Sequence, residues 1–135
     1  MAPTEPADPG ERKPRILLID DEPSIVRMLR DYLSLLGYEV SPFTRSDEAL
    51  EAFRDAANTF DLVLTDYYMP LLSGADIALH VNALRPELPI LICAGDRFAA
   101  HRGLNLSNPK NIVAVMEKPV DLALLAETIK AALKS

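Results

Sequence analysis

Three aspartates, one cysteine and one lysine stand at the ends of short apolar runs. Asp20 and Asp21 close ILLIDDEP, Asp66 closes the apolar part of LVLTDYYMP, Cys93 ends PILIC, and Lys118 follows IVAVM in MEKP. A carboxylate at such a position can hold a hard cation or attack an electrophile, and a lysine can neutralise an anion. Two carboxylates about 4 Å apart repel by roughly 4 kcal/mol at an effective dielectric of about 20. One lysine offsets one charge and leaves a negative surplus. Mg²⁺ suits that surplus, because it accepts carboxylate oxygens and retains water. Such an ion would also draw a phosphoryl group into a site otherwise hostile to anions. One carboxylate could then take that group as an acyl phosphate, stabilised by metal and lysine.

The elements that position these residues alternate along the chain. Ile16–Ile19, Tyr38–Phe43, Phe60–Asp66, Pro89–Cys93 and Ile112–Met116 read as five strands. Pro42 demotes the second to a sheet edge. Pro23 opens a first helix with Ile25, Leu29, Tyr32 (or Leu33) and Leu36 on its apolar side, and Gly37 closes it. Ser46 is expected to cap a second helix bearing Leu50, Phe53 and Ala57. Ser73 caps a third through Ile77, Val81 and Leu84, ending at Arg85-Pro86. GDRFAAHRG is weakly helical, and LNLSNPKN has the chemistry of a loop. Asp121 caps a last helix through Leu125, Ile129 and Leu133.

Five strands alternating with five helices mean an α/β fold, with right-handed crossovers and a parallel sheet covered on both faces. Parallel strands present all their C-terminal ends at one edge, where ligands of open α/β sheets bind. Taken singly, each residue has a plain reading: Asp20 or Asp21 as a helix cap, Lys118-Pro119 as a surface turn, Cys93 as a small core residue. His80 and His101 read as solvent-facing. The meeting of acids and lysine on one rim carries the functional reading.

At 135 residues the chain is long enough for one self-sufficient core. Residues 1–14, with Pro3, Pro6, Pro9 and Pro14, cannot form a packed face and read as a solvated, disordered tail before a domain over 15–135. There is no secretory h-region and no apolar run of bilayer length, so no membrane partner is expected. Cys93 is the only cysteine, which excludes an internal disulfide and fits the cytoplasm. A net charge of −6 argues against nucleic acid binding by this chain alone.

Taken in order, ILLIDDEP, LVLTDYYMP with Gly74, and EKP make residues 15 to 134 resemble the receiver domain of two-component response regulators. The resemblance implies a flavodoxin-like, doubly wound sheet of strand order 2-1-3-4-5, as in chemotaxis receivers. It implies Asp66 as phosphoacceptor and Lys118 as the lysine that contacts the phosphoryl group. Asp20, Asp21, Asp66 and the Tyr68 carbonyl would hold Mg²⁺, with Asp21 the more direct ligand. The Lys118–Pro119 peptide would be cis. The donor would be a phosphohistidine on a sensor histidine kinase or a histidine phosphotransfer protein, and the output a changed surface for a downstream protein. The module would not be an enzyme beyond its own phosphorylation and dephosphorylation.

Two positions depart from the receiver pattern. Cys93 stands where Ser or Thr is usual, and a thiol is a weaker donor than a hydroxyl. Val115 stands where a ring often turns inward on activation. The stretch between Cys93 and Lys118 is slightly long. These departures leave one alternative within the family, a degenerate receiver that binds partners whatever its phosphorylation state. A metal-dependent phosphohydrolase would want an Asp-x-Asp pair that DDEPS lacks, and a flavin module would want a phosphate loop without two aspartates.

Overall fold

Every residue of β3 (Leu62–Asp66) and β4 (Ile90–Ala94) is buried, as strands flanked on both sides and covered on both faces must be. They occupy the middle of a parallel sheet of order β2-β1-β3-β4-β5, with β1 Arg15–Ile19, β2 Glu39–Phe43 and β5 Ile112–Glu117. The helices are α1 (Pro23–Leu35), α2 (Ser46–Asp55), α3 (Gly74–Leu84), α4 (Arg97–Ser107) and α5 (Leu122–Lys134), and a short 3-10 turn covers Ala57–Thr59. This computed structural model describes residues 12–107 and 110–134.

Alternate strand residues point to opposite faces, and the core divides accordingly. Leu17, Ile19, Val63, Ile90 and Ile92 meet Leu50, Phe53, Ile77, Val81 and Leu104 on one face. Ile16, Leu18, Leu62, Leu64 and Leu91 meet Val26, Leu29, Leu33, Leu125 and Ile129 on the other. Full burial of each such side chain contributes about 1.5–3 kcal/mol, which holds the C-terminal edge of the sheet in place. Leu36 and Leu84, read as the last turns of apolar stripes, are instead 45% and 53% exposed.

Most helix ends follow their expected chemistry. Pro23 opens α1, and Gly37 turns the chain after it at φ 99°, a conformation in which a β-carbon is strained. Ser73 accepts the Asp76 N–H while Asp76 accepts the Ser73 N–H, a reciprocal capping box at the start of α3. The Leu124 N–H donates to Asp121 at 3.1 Å.

Ser46 differs. It lies inside α2, with Arg45 in the cap position and no side-chain cap bond. Its hydroxyl is claimed by the β3–α3 loop instead, donating to the Pro70 carbonyl at 2.9 Å and accepting from the Leu72 N–H at 3.1 Å.

The second correction concerns α4, which runs on to Ser107 where loop chemistry was expected from Leu104. Ala100 and Leu104, one turn apart, are both buried, so packing overrides weak local propensity. Asn108 and Pro109, from the same expected loop, lie outside the described residues. The extra length before Lys118 is absorbed partly by a register shift in β5: Ile90 pairs with Ile112 and Leu91 with Ala114, leaving Val113 without a partner in the register.

Residues 1–11 of the expected tail lie outside the described residues. Arg12 makes a two-pronged pair with Asp61 at 3.0 and 3.2 Å, and the Pro14 carbonyl accepts the Glu39 N–H. Asp61 also accepts the Arg15 N–H at 2.7 Å; β3 starts just after it, at Leu62.

Candidate functional site

Strand register carries the candidate residues to one rim. Asp66, the last residue of β3, stands level with Cys93 of β4. Asp20 follows β1, its N–H donating to the Phe43 carbonyl of β2 at 3.1 Å. Lys118 follows β5, its N–H donating to the Ala94 carbonyl at 2.9 Å, and the Lys118–Pro119 peptide is cis. Backbone hydrogen bonds to neighbouring strands therefore place these residues at one edge.

The side chains converge. Lys118 Nζ lies 3.0 Å from Asp20 Oδ2 and 3.2 Å from Asp66 Oδ2. Asp20 and Asp66 are 3% and 7% exposed, whereas Asp21 is open to solvent. One carboxylate oxygen from each of Asp20, Asp21 and Asp66 lies within 4.8 Å of the others. Asp20 also accepts the Glu22 N–H at 3.0 Å, which fixes its carboxylate just before α1.

The charges do not balance. Burial and then the charge of Asp20 push the Asp66 carboxyl above the usual range, against the opposing pull of Lys118. Burial disfavours the Lys118 ammonium, but its hydrogen bond to Asp20 and the charges of Asp20 and Asp66 outweigh that, leaving it raised. Three clustered carboxylates, all hard oxygen donors and only two of them paired with the one ammonium, suit a divalent cation such as Mg²⁺.

Cys93 lies beneath this cluster, in contact with the α1 and α5 side of the core. Burial pushes its thiol up to about 12, so it stays protonated and is no nucleophile at neutral pH. Cys93 lines a small void of about 20 Å³ together with Asp20, Asp66 and Lys118, among others. Val115 pairs with Ile92 and packs against the opposite face. Beside it opens a hollow of about 420 Å³, lined by Arg97, Val115, Lys118 and Leu124 among others.

The loop after Asp66 is built tightly. A β-carbon on Gly74 would stand 2.6 Å from the Asp66 carbonyl oxygen and 2.9 Å from Tyr67 Cα. Only glycine lets α3 begin so close to the end of β3. Leu71 holds a positive φ of 73° and is 66% exposed, a conformation that costs a side chain about 1–2 kcal/mol. Ser46 braces both of its neighbours, and nothing local to residue 46 signals this. Tyr68 is 53% exposed, its ring edge-on to Tyr67 at 4.7 Å between centroids. His80 faces Arg54 at 3.2 Å on the α2–α3 surface, and His101 is exposed; neither joins the rim.

A sequence model of the response regulator receiver domain family matches residues 16–130. The chain belongs to that family. Over 82 residues it is 35% identical to the two-component response regulator ARR14 of Arabidopsis thaliana, covering 61% of this chain and 22% of that protein. Over 120 residues it is 30% identical to the autoinducer 1 sensor kinase/phosphatase LuxN of Vibrio campbellii, covering 89% of this chain and 14% of that one. The chain thus spans less than a quarter of either relative. Among solved structures, a receiver domain protein from Clostridium thermocellum superposes with TM-score 0.81 at 30% identity, over 90% of this chain and 94% of that chain. The strand order of this receiver domain is the flavodoxin-like order that the resemblance implied. Among the described residues no helix is long and apolar enough to cross a membrane.

Proposed function

We propose that this receiver domain accepts a phosphoryl group on Asp66 from a phosphohistidine, carried by a sensor histidine kinase or a histidine phosphotransfer protein. One observation supports this most: two buried carboxylates that share one lysine, and a third exposed one, converge within 4.8 Å of one another. Asp20, Asp21, Asp66 and the Tyr68 carbonyl would hold Mg²⁺. When bound, that ion neutralises the surplus charge and polarises the phosphoryl oxygens.

The chain's own part follows from its geometry. An Asp66 oxygen attacks phosphorus, a P–O bond forms as the P–N bond breaks, and the departing imidazole nitrogen takes up a proton. Lys118, already 3.2 Å from Asp66, supplies a positive charge to the transferred group. The Cys93 S–H, neutral because its pKa is raised, offers a weak hydrogen bond where receivers usually offer a hydroxyl. Water reaching the acyl phosphate reverses the modification. The domain is thus a signalling module with self-catalysed chemistry. It works in the cytoplasm, and its output is altered contact with a protein target rather than with nucleic acid or membrane.

The degenerate alternative draws on Cys93, Val115 and the long stretch between Cys93 and Lys118. It leaves unexplained why two carboxylates stay buried against one lysine, an arrangement that costs stability and is characteristic of functional sites. Intact mass after treatment with acetyl phosphate, with and without Mg²⁺, tests the reading. A gain of one phosphoryl group that needs the cation supports it. A gain that survives both chelation and Asp66→Asn contradicts it.

A further inference from the structure

Tyr67 follows Asp66 directly and its backbone has no slack. Its N–H donates to the Cys93 carbonyl at 2.8 Å, and its carbonyl accepts from the Gly74 N–H at 2.7 Å. The ring leaves this fixed point and ends on α4. A β-carbon on Gly103 would overlap the phenol oxygen and stand 3.1 Å from Cζ. The ring therefore rests against the bare backbone of the helix, a seat that only glycine leaves open. Burial is the main reason its hydroxyl is pushed above the usual phenol range, followed by the charges of Tyr68 and Asp76.

From this we infer that Tyr67 carries the phosphorylation state of Asp66 to α4 through its seat on Gly103. The inference rests on the reading of Asp66 as phosphoacceptor and adds the route by which the signal leaves the site. Two features of the fold support it.

First, α4 has two connections to the site. At its N-terminal end Asp96 caps the helix, accepting the Ala99 N–H at 3.0 Å and the Ala100 N–H at 3.1 Å. Asp96 is three residues beyond Cys93, whose carbonyl Tyr67 holds. At Gly103, nearly two turns further on, the Tyr67 ring makes the second connection. A change at the ends of β3 and β4 thus acts on α4 at two separated points, which rotates or shifts a helix rather than merely loosening it.

Second, no ring on β5 competes for the role. Val115 is β-branched and compact, and packs against the same core face as Tyr67, the face that includes Leu104. Tyr67 is a rigid ring on two rotatable bonds, so a small turn of its anchored backbone is transmitted to its far end. The surface that would register the movement is already apolar: Phe98 on α4 is 66% exposed, stacked under Arg97 at 5.6 Å, with Leu124 of α5 52% exposed.

The test compares the parent, Gly103→Ala, Tyr67→Leu and Tyr67→Phe, each treated with acetyl phosphate and Mg²⁺. Intact mass gives the phosphoryl occupancy, and amide spectra give both the folded state and the response of Arg97–Leu104. All four proteins should take up one phosphoryl group. The α4 amides should shift in the parent and in Tyr67→Phe, which keeps the ring. In Gly103→Ala, where the ring is displaced, and in Tyr67→Leu, those shifts should fall at least threefold, while shifts beside Asp20 and Lys118 persist. Full α4 shifts in either folded, phosphorylated variant would overturn the coupling and leave the phosphoacceptor reading intact. A parent that takes up no phosphoryl group would overturn both.

Discussion

Lys118→Met keeps most of the side chain's length and removes the cation that faces two buried carboxylates. Nζ stands 3.0 Å from Asp20 and 3.2 Å from Asp66, whose side chains are only 4% and 8% exposed. Each attraction is about 5 kcal/mol at an effective dielectric of about 20. The variant does not lose the sum. It no longer has to dehydrate an ammonium, and one carboxylate can escape by taking a proton. For an ordinary carboxyl that escape costs roughly 4 kcal/mol at pH 7, which sets a ceiling on the loss. Asp66 is already raised, mainly by burial, so the escape is cheaper still.

The expected loss at pH 7 is therefore about 2–3 kcal/mol, within the range for unpairing a buried charge. Its pH dependence carries the signature. The variant's native state then holds one more proton than the parent's, so its deficit shrinks by about 1.4 kcal/mol for each unit that pH falls. Urea unfolding of both proteins between pH 5 and pH 7.5, in the presence of a chelator, measures this. A deficit that does not change with pH, or no deficit at all, would refute the account of Lys118 as the counter-charge of the pair.

Other consequences follow from the same charges and from burial. Mg²⁺ should stabilise the parent by mass action, by about 2.7 kcal/mol at a hundredfold excess over its dissociation constant, and Asp21→Asn should abolish most of that gain in thermal melts. A parent melting temperature indifferent to Mg²⁺ would exclude a metal site. Because the Asp66 pKa is raised in the folded state, its contribution to stability is full at low pH and is lost as pH rises through the raised value. Asp66→Asn should accordingly be more stable than the parent at neutral pH, and urea unfolding should show the advantage vanish below the ordinary carboxylate range. Cys93, buried and with its thiol pushed up to about 12, should resist a disulfide reagent such as DTNB at pH 8 in the native protein and react at once in denaturant. Rapid native labelling would show that the rim opens far more than its packing implies.

The parts of this fold that were legible share a physical cause. Apolar runs such as ILLI and PILIC must be central strands, because no other element of that length hides every side chain, and Ile16–Ile19 of β1 and all of β4 are indeed buried. Asp20, Asp66 and Lys118 were legible as a group, because parallel strands end at one edge. The strand order itself came from the family resemblance; periodicity says how many strands there are, not which ones neighbour each other. That Asp20 is buried while its neighbour Asp21 is exposed was hidden too, since the two differ only in which way the chain turns into α1.

Contacts between distant segments were not legible at all. Ser46 carries the local signs of a helix cap, yet its hydroxyl serves Pro70 and Leu72 across the fold. The polar stretch after Gly103 looks like a loop until Ala100 and Leu104 are seen against the sheet. Gly103 itself sits in a weakly helical stretch and carries no local sign of a role. Its meaning emerges only when Tyr67 occupies the space a side chain would have filled.

The central claim is that Asp66 receives the phosphoryl group, and its most direct test is to find the residue that carries it. Protein treated with acetyl phosphate and Mg²⁺ is reduced with borohydride, which converts an aspartyl phosphate to homoserine, then digested and sequenced by mass spectrometry. The account predicts homoserine at position 66 and at neither 20 nor 21, dependent on Mg²⁺ and absent from Asp66→Asn. Homoserine at Asp20 or Asp21, or a stable phosphoryl group on His80 or His101 with position 66 untouched, would contradict it.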